Sequence, residues 1–229
     1  MEQLQNGYAL QIPQGCFPLS TDSILLADFV RLPKNASVLD LGSGCGTLGM
    51  MLCAKWNSCR VTGIELDETA HHAALENAHN NELTSRLYSI CQDLNQVPKT
   101  IKPGSFDCCV SNPPYYHSEP ESKTLSTARQ GVGCSMESLF RSAAWALRFG
   151  GDFFLVHKPE KLAQLCSSAI AAGLEPKRLC LIRHKPQGPV NLILLQCRKG
   201  GKPGLIWEEE TLFLPDGAPT DFYRRIYHL

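Results

Sequence analysis

No C-x-x-C pair occurs among the eleven cysteines of this 229-residue chain, and their number is odd. That disfavours both a disulfide framework and a zinc ribbon. Cys108 and Cys109 are neighbours in an apolar stretch, where strand geometry sends them to opposite faces. The cysteines therefore read as small apolar residues of a reduced protein. Charge of neither sign is in excess: 22 Lys and Arg stand against 22 Asp and Glu. A global field for nucleic acid or membrane is excluded, so any polyanion site must be a local patch. Long apolar runs are also missing. Stretches such as Leu192 to Leu195 are far too short to span a bilayer. The N-terminus has neither the charged start nor the apolar core of a signal peptide, so a soluble, cytoplasmic protein is expected. Internal repeats and low-complexity linkers are absent too. The chain is long enough to bury a substantial core. One domain over residues 37–229 is expected, with an N-terminal extension over 1–36 packed on it.

What is present is a β/α alternation. Residues 1–19 are polar, with Gly7, Pro13, Gly15 and Pro18, and suggest extended or hairpin structure. Ser20-Thr21-Asp22 offers an N-cap before the apolar helix Ile24 to Phe29. Strands are expected at Val38 to Leu41, Arg60 to Ile64, Leu87 to Cys91, Phe106 to Val110 and Asp152 to His157. Helices are expected at Leu48 to Trp56, Glu68 to Glu82, Met136 to Leu147 and Lys161 to Ala172, the last ended by Gly173. Leu179 to Ile182 and Asn191 to Cys197 are separated by too few residues to be anything but antiparallel. The fold class is α/β: a doubly wound, mostly parallel, seven-stranded sheet with an antiparallel last strand.

Asp40-Leu41-Gly42-Ser43-Gly44-Cys45-Gly46 joins the first strand of the alternation to its helix, where an open α/β sheet places its ligand crevice. Gly44-x-Gly46-x-x-Gly49 also fits the dinucleotide fingerprint, with Glu65 about twenty residues on, so an NAD-dependent oxidoreductase stays open. Asp40 disfavours it, because a carboxylate there would repel a pyrophosphate. The same carboxylate would attract the ammonium and sulfonium of S-adenosylmethionine. Glu65 could accept both ribose hydroxyls, and Asp93 could accept from the adenine amino group; a turn or N-cap role for Asp93 competes.

Asn112-Pro113-Pro114-Tyr115 comes directly after the Phe106 strand. Two prolines end a strand and stiffen the loop. Asn112 Oδ1 and the Pro113 carbonyl can each accept one hydrogen of a planar amino group, while Tyr115 stacks on the ring that carries it. Ordinary loop punctuation is the plainer alternative.

As a set, the motif Asp40-Leu-Gly-x-Gly-x-Gly, Glu65, Asp93 and Asn112-Pro-Pro-Tyr115 resembles the motifs of class I S-adenosylmethionine-dependent methyltransferases, in the order of the amino-methylating branch. Nearly end to end, the chain resembles the bacterial tRNA (adenine-N6) methyltransferases that modify adenine-37, beside the anticodon of a valine tRNA. The matching stretches include Phe17, Ser20-Thr21-Asp22-Ser23, Ala128-Arg129, His157-Lys158-Pro159-Glu160, Asn191-Leu192, Arg198 to Gly204 and an acidic-aromatic tail to Tyr227. The resemblance implies methyl transfer to adenine N6, with Asn112, Pro113 and Tyr115 catalytic. It implies a cofactor site of Thr21, Asp40, Gly42, Gly44, Gly46, Glu65, Asp93 and Asn112, with S-adenosylhomocysteine as product. Gln130-Gly131 departs from the His-Glu pair that the family carries after Arg129.

With tRNA as the implied partner, the acid-free stretch from Pro176 to Lys202 becomes a candidate phosphate track. It carries Lys177, Arg178, Arg183, Lys185, Arg198, Lys199 and Lys202, and a solvated set of strand ends is the alternative. His72, Glu76 and His79 share a helical face but lack the two-histidine zinc spacing, so no metal is expected. A protein glutamine methyltransferase shares the Asn-Pro-Pro-Tyr loop, and a non-catalytic RNA-binding module needs no cofactor. Monomer and homodimer both remain open.

Overall fold

A computed structural model of the chain describes residues 2–4, 7–114 and 135–229. Its short strands β1 (Glu2–Gln3) and β2 (Ala9–Leu10) pair as an antiparallel hairpin. Helix α1 (Thr21–Phe29) is next, capped by Ser20, whose side chain accepts from the Ser23 N–H. The alternation then runs β3 (Ser37–Leu41), α2 (Thr47–Lys55), β4 (Arg60–Glu65), α3 (Glu68–Asn80), β5 (Leu87–Cys91), the single turn α4 (Val97–Thr100) and β6 (Phe106–Ser111). After the undescribed stretch come α5 (Met136–Ala146), β7 (Leu147–His157), α6 (Leu162–Ala171), β8 (Leu174–Arg183), β9 (Val190–Lys199), β10 (Ile206–Thr211) and α7 (Asp221–Tyr227).

Among the described residues, the main sheet has eight strands in the order β10-β8-β9-β7-β6-β3-β4-β5. Only β9 runs against its neighbours, pairing antiparallel with both β7 and β8. The expected antiparallel strand is therefore present, and the strand count is corrected from seven to eight. The extra strand is β10, which lies parallel to β8 at the sheet edge. Its sequence, Ile-Trp-Glu-Glu-Glu-Thr, carries the charge of an edge strand and lacks the apolar run of a buried one. Helix boundaries differ by one to three residues, most at the start of α1. Helix α3 stops at Asn80 because Asn81 caps it and Glu82 turns left-handed at φ +57°.

Both sheet faces are covered, so the central strands read as continuous apolar runs. Val38, Cys108, Val110, Phe154 and Val156 face a core shared with α1, α2 and α7. Leu39, Leu41, Cys109, Phe153 and Leu155 face the other core, with α5 and α6. Cys108 and Cys109 thus divide between the two faces, as strand alternation requires. Strand order reverses between β3 and β6, and the crevice of such a sheet opens at the carboxyl ends of those strands. Among the described residues, no helix is long and apolar enough to cross a membrane.

Candidate active site

The chain leaves β3 through a turn anchored on β4. Gly42 and Ser43 both donate their N–H groups to the Ile64 carbonyl, at 2.9 and 3.1 Å. Gly42 and Gly44 have φ of +78° and +54°, and a Cβ at either position would point into open space. The loop backbone there is bare and approachable from outside. Gly49, the last glycine of the dinucleotide-like spacing, has a different task. A Cβ at Gly49 would stand 2.7 Å from Leu87 Cδ1, so it lets α2 press against the sheet.

Glu65, at the end of β4, ties the loop together. Its Oε2 accepts from the Gly44 N–H at 2.7 Å, and its Oε1 accepts from the Leu66 and Asp67 N–H groups at 2.9 Å each. Leu66, beside it, is exposed. Asp40 is 1% exposed, and its Oδ2 has no hydrogen-bond partner. Burial, assisted by the nearby Glu65 charge, pushes its pKa up to about 7. The other buried side-chain polar atoms without partners among the described residues are Ser43 Oγ and Gln92 Nε2. All three therefore lie at or just beyond the carboxyl ends of β3 and β5. Buried polar atoms are normally paired, and a cluster of unpaired ones at one end of a sheet points to a polar ligand. Asp93 Oδ1 accepts from the N–H and the side-chain amide of Asn95, at 2.8 and 3.0 Å. In this geometry it is the cap of the short turn that precedes α4.

Strand register brings the second motif to the same place. Asp40 pairs with Gly63 on β4 and with Val110 on β6. Asn112 and Glu65 each lie two residues beyond those partners. Ser111 Oγ donates to the Leu41 carbonyl at 2.7 Å, which locks the ends of β6 and β3 together. Asn112 Nδ2 then donates to Ser23 Oγ at 3.0 Å, from the first turn of α1. With its amino group held by Ser23, the amide directs Oδ1 away from α1. Thr21 Oγ1 is hydrogen-bonded to Tyr227 OH at 2.9 Å, so the C-terminal helix meets the start of α1. Tyr115, Ala128-Arg129 and Gln130-Gly131 lie outside the described residues.

Residues 19–166 match the family model described as "Methyltransferase small domain". The chain belongs to this family. Among the relatives of this methyltransferase is the tRNA1(Val) (adenine(37)-N6)-methyltransferase of Photobacterium profundum. The two are 30% identical over 187 residues, 80% of this chain and 78% of the relative. The protein of the same name from Bacteroides fragilis is 31% identical over 180 residues, covering 77% and 75% of the two chains. A crystal structure of a predicted O-methyltransferase from Agrobacterium tumefaciens superposes with a TM-score of 0.75 at 21% identity, covering 91% of this chain and 96% of that one. The geranyl diphosphate C-methyltransferase of Streptomyces coelicolor, solved with S-adenosyl-L-homocysteine, gives 0.56 at 12% identity and covers 77% and 76%. At such identities these structures speak to the fold alone.

The donor set of this methyltransferase suits a cationic ligand: a buried carboxylate with a vacant oxygen, a bare glycine loop, and an acid fixed by three N–H groups. The basic residues between 177 and 202 are distributed differently. Strand directions put Arg183 and Lys185 at the active-site end of the sheet, while Lys177, Arg198, Lys199 and Lys202 lie at or towards the opposite end. The acids that this stretch lacks arrive from elsewhere in the fold. Arg178 forms a two-pronged pair with Glu208 at 2.9 and 3.1 Å, and its guanidinium lies 4.3 Å over the Phe29 ring. Arg198 pairs likewise with Asp152, with both contacts at 2.9 Å. Arg183 lies 3.6 Å from Glu209. Lys199 Nζ donates to the Ala144 and Leu147 carbonyls, closing the end of α5. Lys177 donates to the Lys202 carbonyl and Lys185 to that of Pro215.

Ser23 and Asn77 escaped the sequence reading. Ser23 was available as the fourth residue of the Ser-Thr-Asp-Ser string. Asn77, among Ala73, Ala74 and Ala78, is a polar residue on an otherwise apolar helix face. It is fully buried, with Oδ1 accepting from the Gln11 N–H and Nδ2 donating to the Gln11 and Cys45 carbonyls. Asn81, one turn on, makes the same paired contact with Ala9. Together the two amides lay the N-terminal segment along α3 and join it to the glycine loop.

Proposed function

We propose that this methyltransferase works in the cytoplasm and methylates the exocyclic N6 of an adenine in tRNA, the nucleotide at position 37, using S-adenosylmethionine. The observation that carries this reading is the Asn112 amide, anchored through Nδ2 to Ser23 at the strand end next to Asp40. Support for the acceptor comes from the curated relatives, whose names specify adenine-37 of tRNA1(Val). The donor, when bound, supplies a methyl group on a sulfonium, an electrophile that needs no prior activation.

The chain's own residues orient the acceptor. The N6 lone pair is delocalised into the adenine ring and points poorly at an electrophile. Asn112 Oδ1 and the Pro113 carbonyl hold the two amino hydrogens, pull the nitrogen towards a pyramidal shape and stabilise its growing positive charge. Tyr115 clamps the ring face. Asp40 offers its vacant oxygen to the donor's ammonium group, Gly42, Gly44 and Gly46 let the donor lie against the backbone, and Glu65 receives its ribose hydroxyls. Asp93 and Thr21 complete the cofactor set at the rim. No strong base is needed, because the methylated nitrogen turns acidic and releases its proton to water. Residues 1–36 form an extension packed on the catalytic domain 37–229, and its Ser23 reaches the catalytic corner. No metal enters the scheme. RNA approaches from the end of the sheet that carries Arg183 and Lys185, which leaves Lys177, Arg178, Arg198, Lys199 and Lys202 a secondary part at most.

The deciding experiment offers labelled S-adenosylmethionine to bulk tRNA and, separately, to a protein extract, followed by nucleoside analysis. Label in N6-methyladenosine is expected. Label in protein and not in RNA would make the protein a glutamine methyltransferase instead.

A further inference from the structure

Four aromatic rings form a continuous run from the edge of the sheet to the start of α1. His184 lies 4.8 Å from Phe213, Phe213 lies 4.8 Å from Tyr223, and Tyr223 stacks on Tyr227 at 4.3 Å with an interplanar angle of 19°. Tyr227 OH meets Thr21 Oγ1, and two residues along α1 Ser23 holds Asn112. The run therefore connects the rim to the residue proposed to hold the adenine amino group.

Its outer member is exposed but firmly placed. The backbone N–H of His184 donates to Asn191 Oδ1 at 2.9 Å, and its carbonyl accepts from the Phe213 N–H at 3.0 Å. The His184 side chain is backed by the Phe213 ring. Strand direction sets this loop at the same end of the sheet as Asp40 and Asn112. Lys185 and Arg224 stand exposed nearby, as does His228. Of the two acids in the surrounding loop and helix, Asp216 is turned onto its own loop, where it accepts from the Ala218 N–H, while Asp221 is exposed in the first turn of α7.

We infer that this ring run is a stacking platform for single-stranded RNA, with a base flanking the target adenine resting on His184 and its phosphates meeting Lys185 and Arg224. The inference rests on the RNA substrate proposed above and locates where that substrate lies. Taking an adenine out of a loop strips its neighbour of a stacking partner. A fixed ring at the rim replaces that partner for any base, since every base has a π-face. Lys185 and Arg224 suit an anionic strand better than an apolar peptide, and the aromatic rings beside them offer a base the face that an acidic peptide lacks.

The test uses the full chain and a fluorescent anticodon stem-loop RNA, with the dissociation constant read by anisotropy in the absence of methyl donor. For His184→Ala it should rise about tenfold, a typical loss for one base–aromatic stack. His184→Tyr should restore it, and donor affinity and melting temperature should match the wild type in both variants. A constant within twofold of wild type in His184→Ala overturns the platform, as does a loss that His184→Tyr fails to repair. If the wild type binds and methylates no RNA, the substrate reading itself fails, and that is seen before any variant is made.

Discussion

Asp40 has opposite consequences for the empty and the occupied protein. Its pKa rises from the ordinary 3.8 to about 7, because burial strips its water and Glu65 adds negative charge. The folded chain thus holds a proton that the unfolded chain has released. This contribution to stability is complete below about pH 3.8, declines as pH rises and is gone above about 7. Asp40→Asn should therefore make the ligand-free protein more stable above pH 7 and flatten its pH dependence, which thermal melts across pH 5 to 8 will report. A cationic ligand reverses the preference, since it favours the ionised carboxylate. Binding of S-adenosylmethionine near pH 6.5 should release a proton, detected by calorimetry in buffers of different ionisation enthalpy, and Asp40→Asn should abolish that release while weakening binding. Asn112 answers to a different readout. Asn112→Ala should lower the single-turnover rate by about 10²–10³. Asn112→Asp should retain more, because an acceptor remains and the Ser23 hydroxyl can donate to it. Ser23→Ala should cost less than either, by leaving the amide in place but free to turn. An Asp variant slower than the Ala variant would remove Asn112 from the acceptor role.

Elements were legible in the sequence where burial wrote a period into it. Val38, Leu39 and Leu41 of β3 and Cys108 to Val110 of β6 are buried, and no surface requirement interrupts these apolar stretches. Strand β10 and helix α7 were not legible for the opposite reason. Edge strand β10 exposes Ile206 and Trp207 and sets its acids against the arginines of β8, so its pattern depends on a partner distant in sequence. Helix α7 is two turns long and is held by α1, with Arg225 donating to Asp28 at 2.9 and 3.1 Å. The N-terminal segment shows the same dependence on distant partners. Beyond its own hairpin and turns, it is held by the side chains of Asn77 in α3 and of the cap Asn81, a register that local propensity does not encode. Asn77→Ala would leave the Gln11 N–H and the Cys45 carbonyl without these partners, at a cost of roughly 3 kcal/mol. Urea unfolding should show that loss, and donor affinity should fall with it, since the same amide steadies the glycine loop. Asn81→Ala, which does not reach Cys45, should destabilise the fold while leaving donor affinity close to wild type.

Across the whole molecule, equal numbers of positive and negative side chains leave substrate attraction to local arrangement. The candidate site was largely legible because its parts sit just after strands, and parallel strands deliver their trailing loops to one end of the sheet. The basic stretch was harder to read, because a hairpin such as β8–β9 carries neighbouring charges to opposite ends. Its acid-free sequence also gave no sign that β7 and β10 would bring Asp152, Glu208 and Glu209 to it. This sorting fixes an expectation for salt dependence. If RNA meets only Lys185, Arg224 and the partly paired Arg183, about three phosphates are neutralised. For a single-stranded loop the logarithm of affinity should then fall against the logarithm of salt with a slope near −2. A track through all seven basic residues of the 177–202 stretch would give about −5. Titrations from 50 to 300 mM salt separate the two, and Lys177→Gln with Lys202→Gln should leave the shallower slope unchanged. A slope near −5 that these substitutions reduce would mean that RNA wraps around the sheet edge, and that the pairs with Asp152 and Glu208 open to receive it.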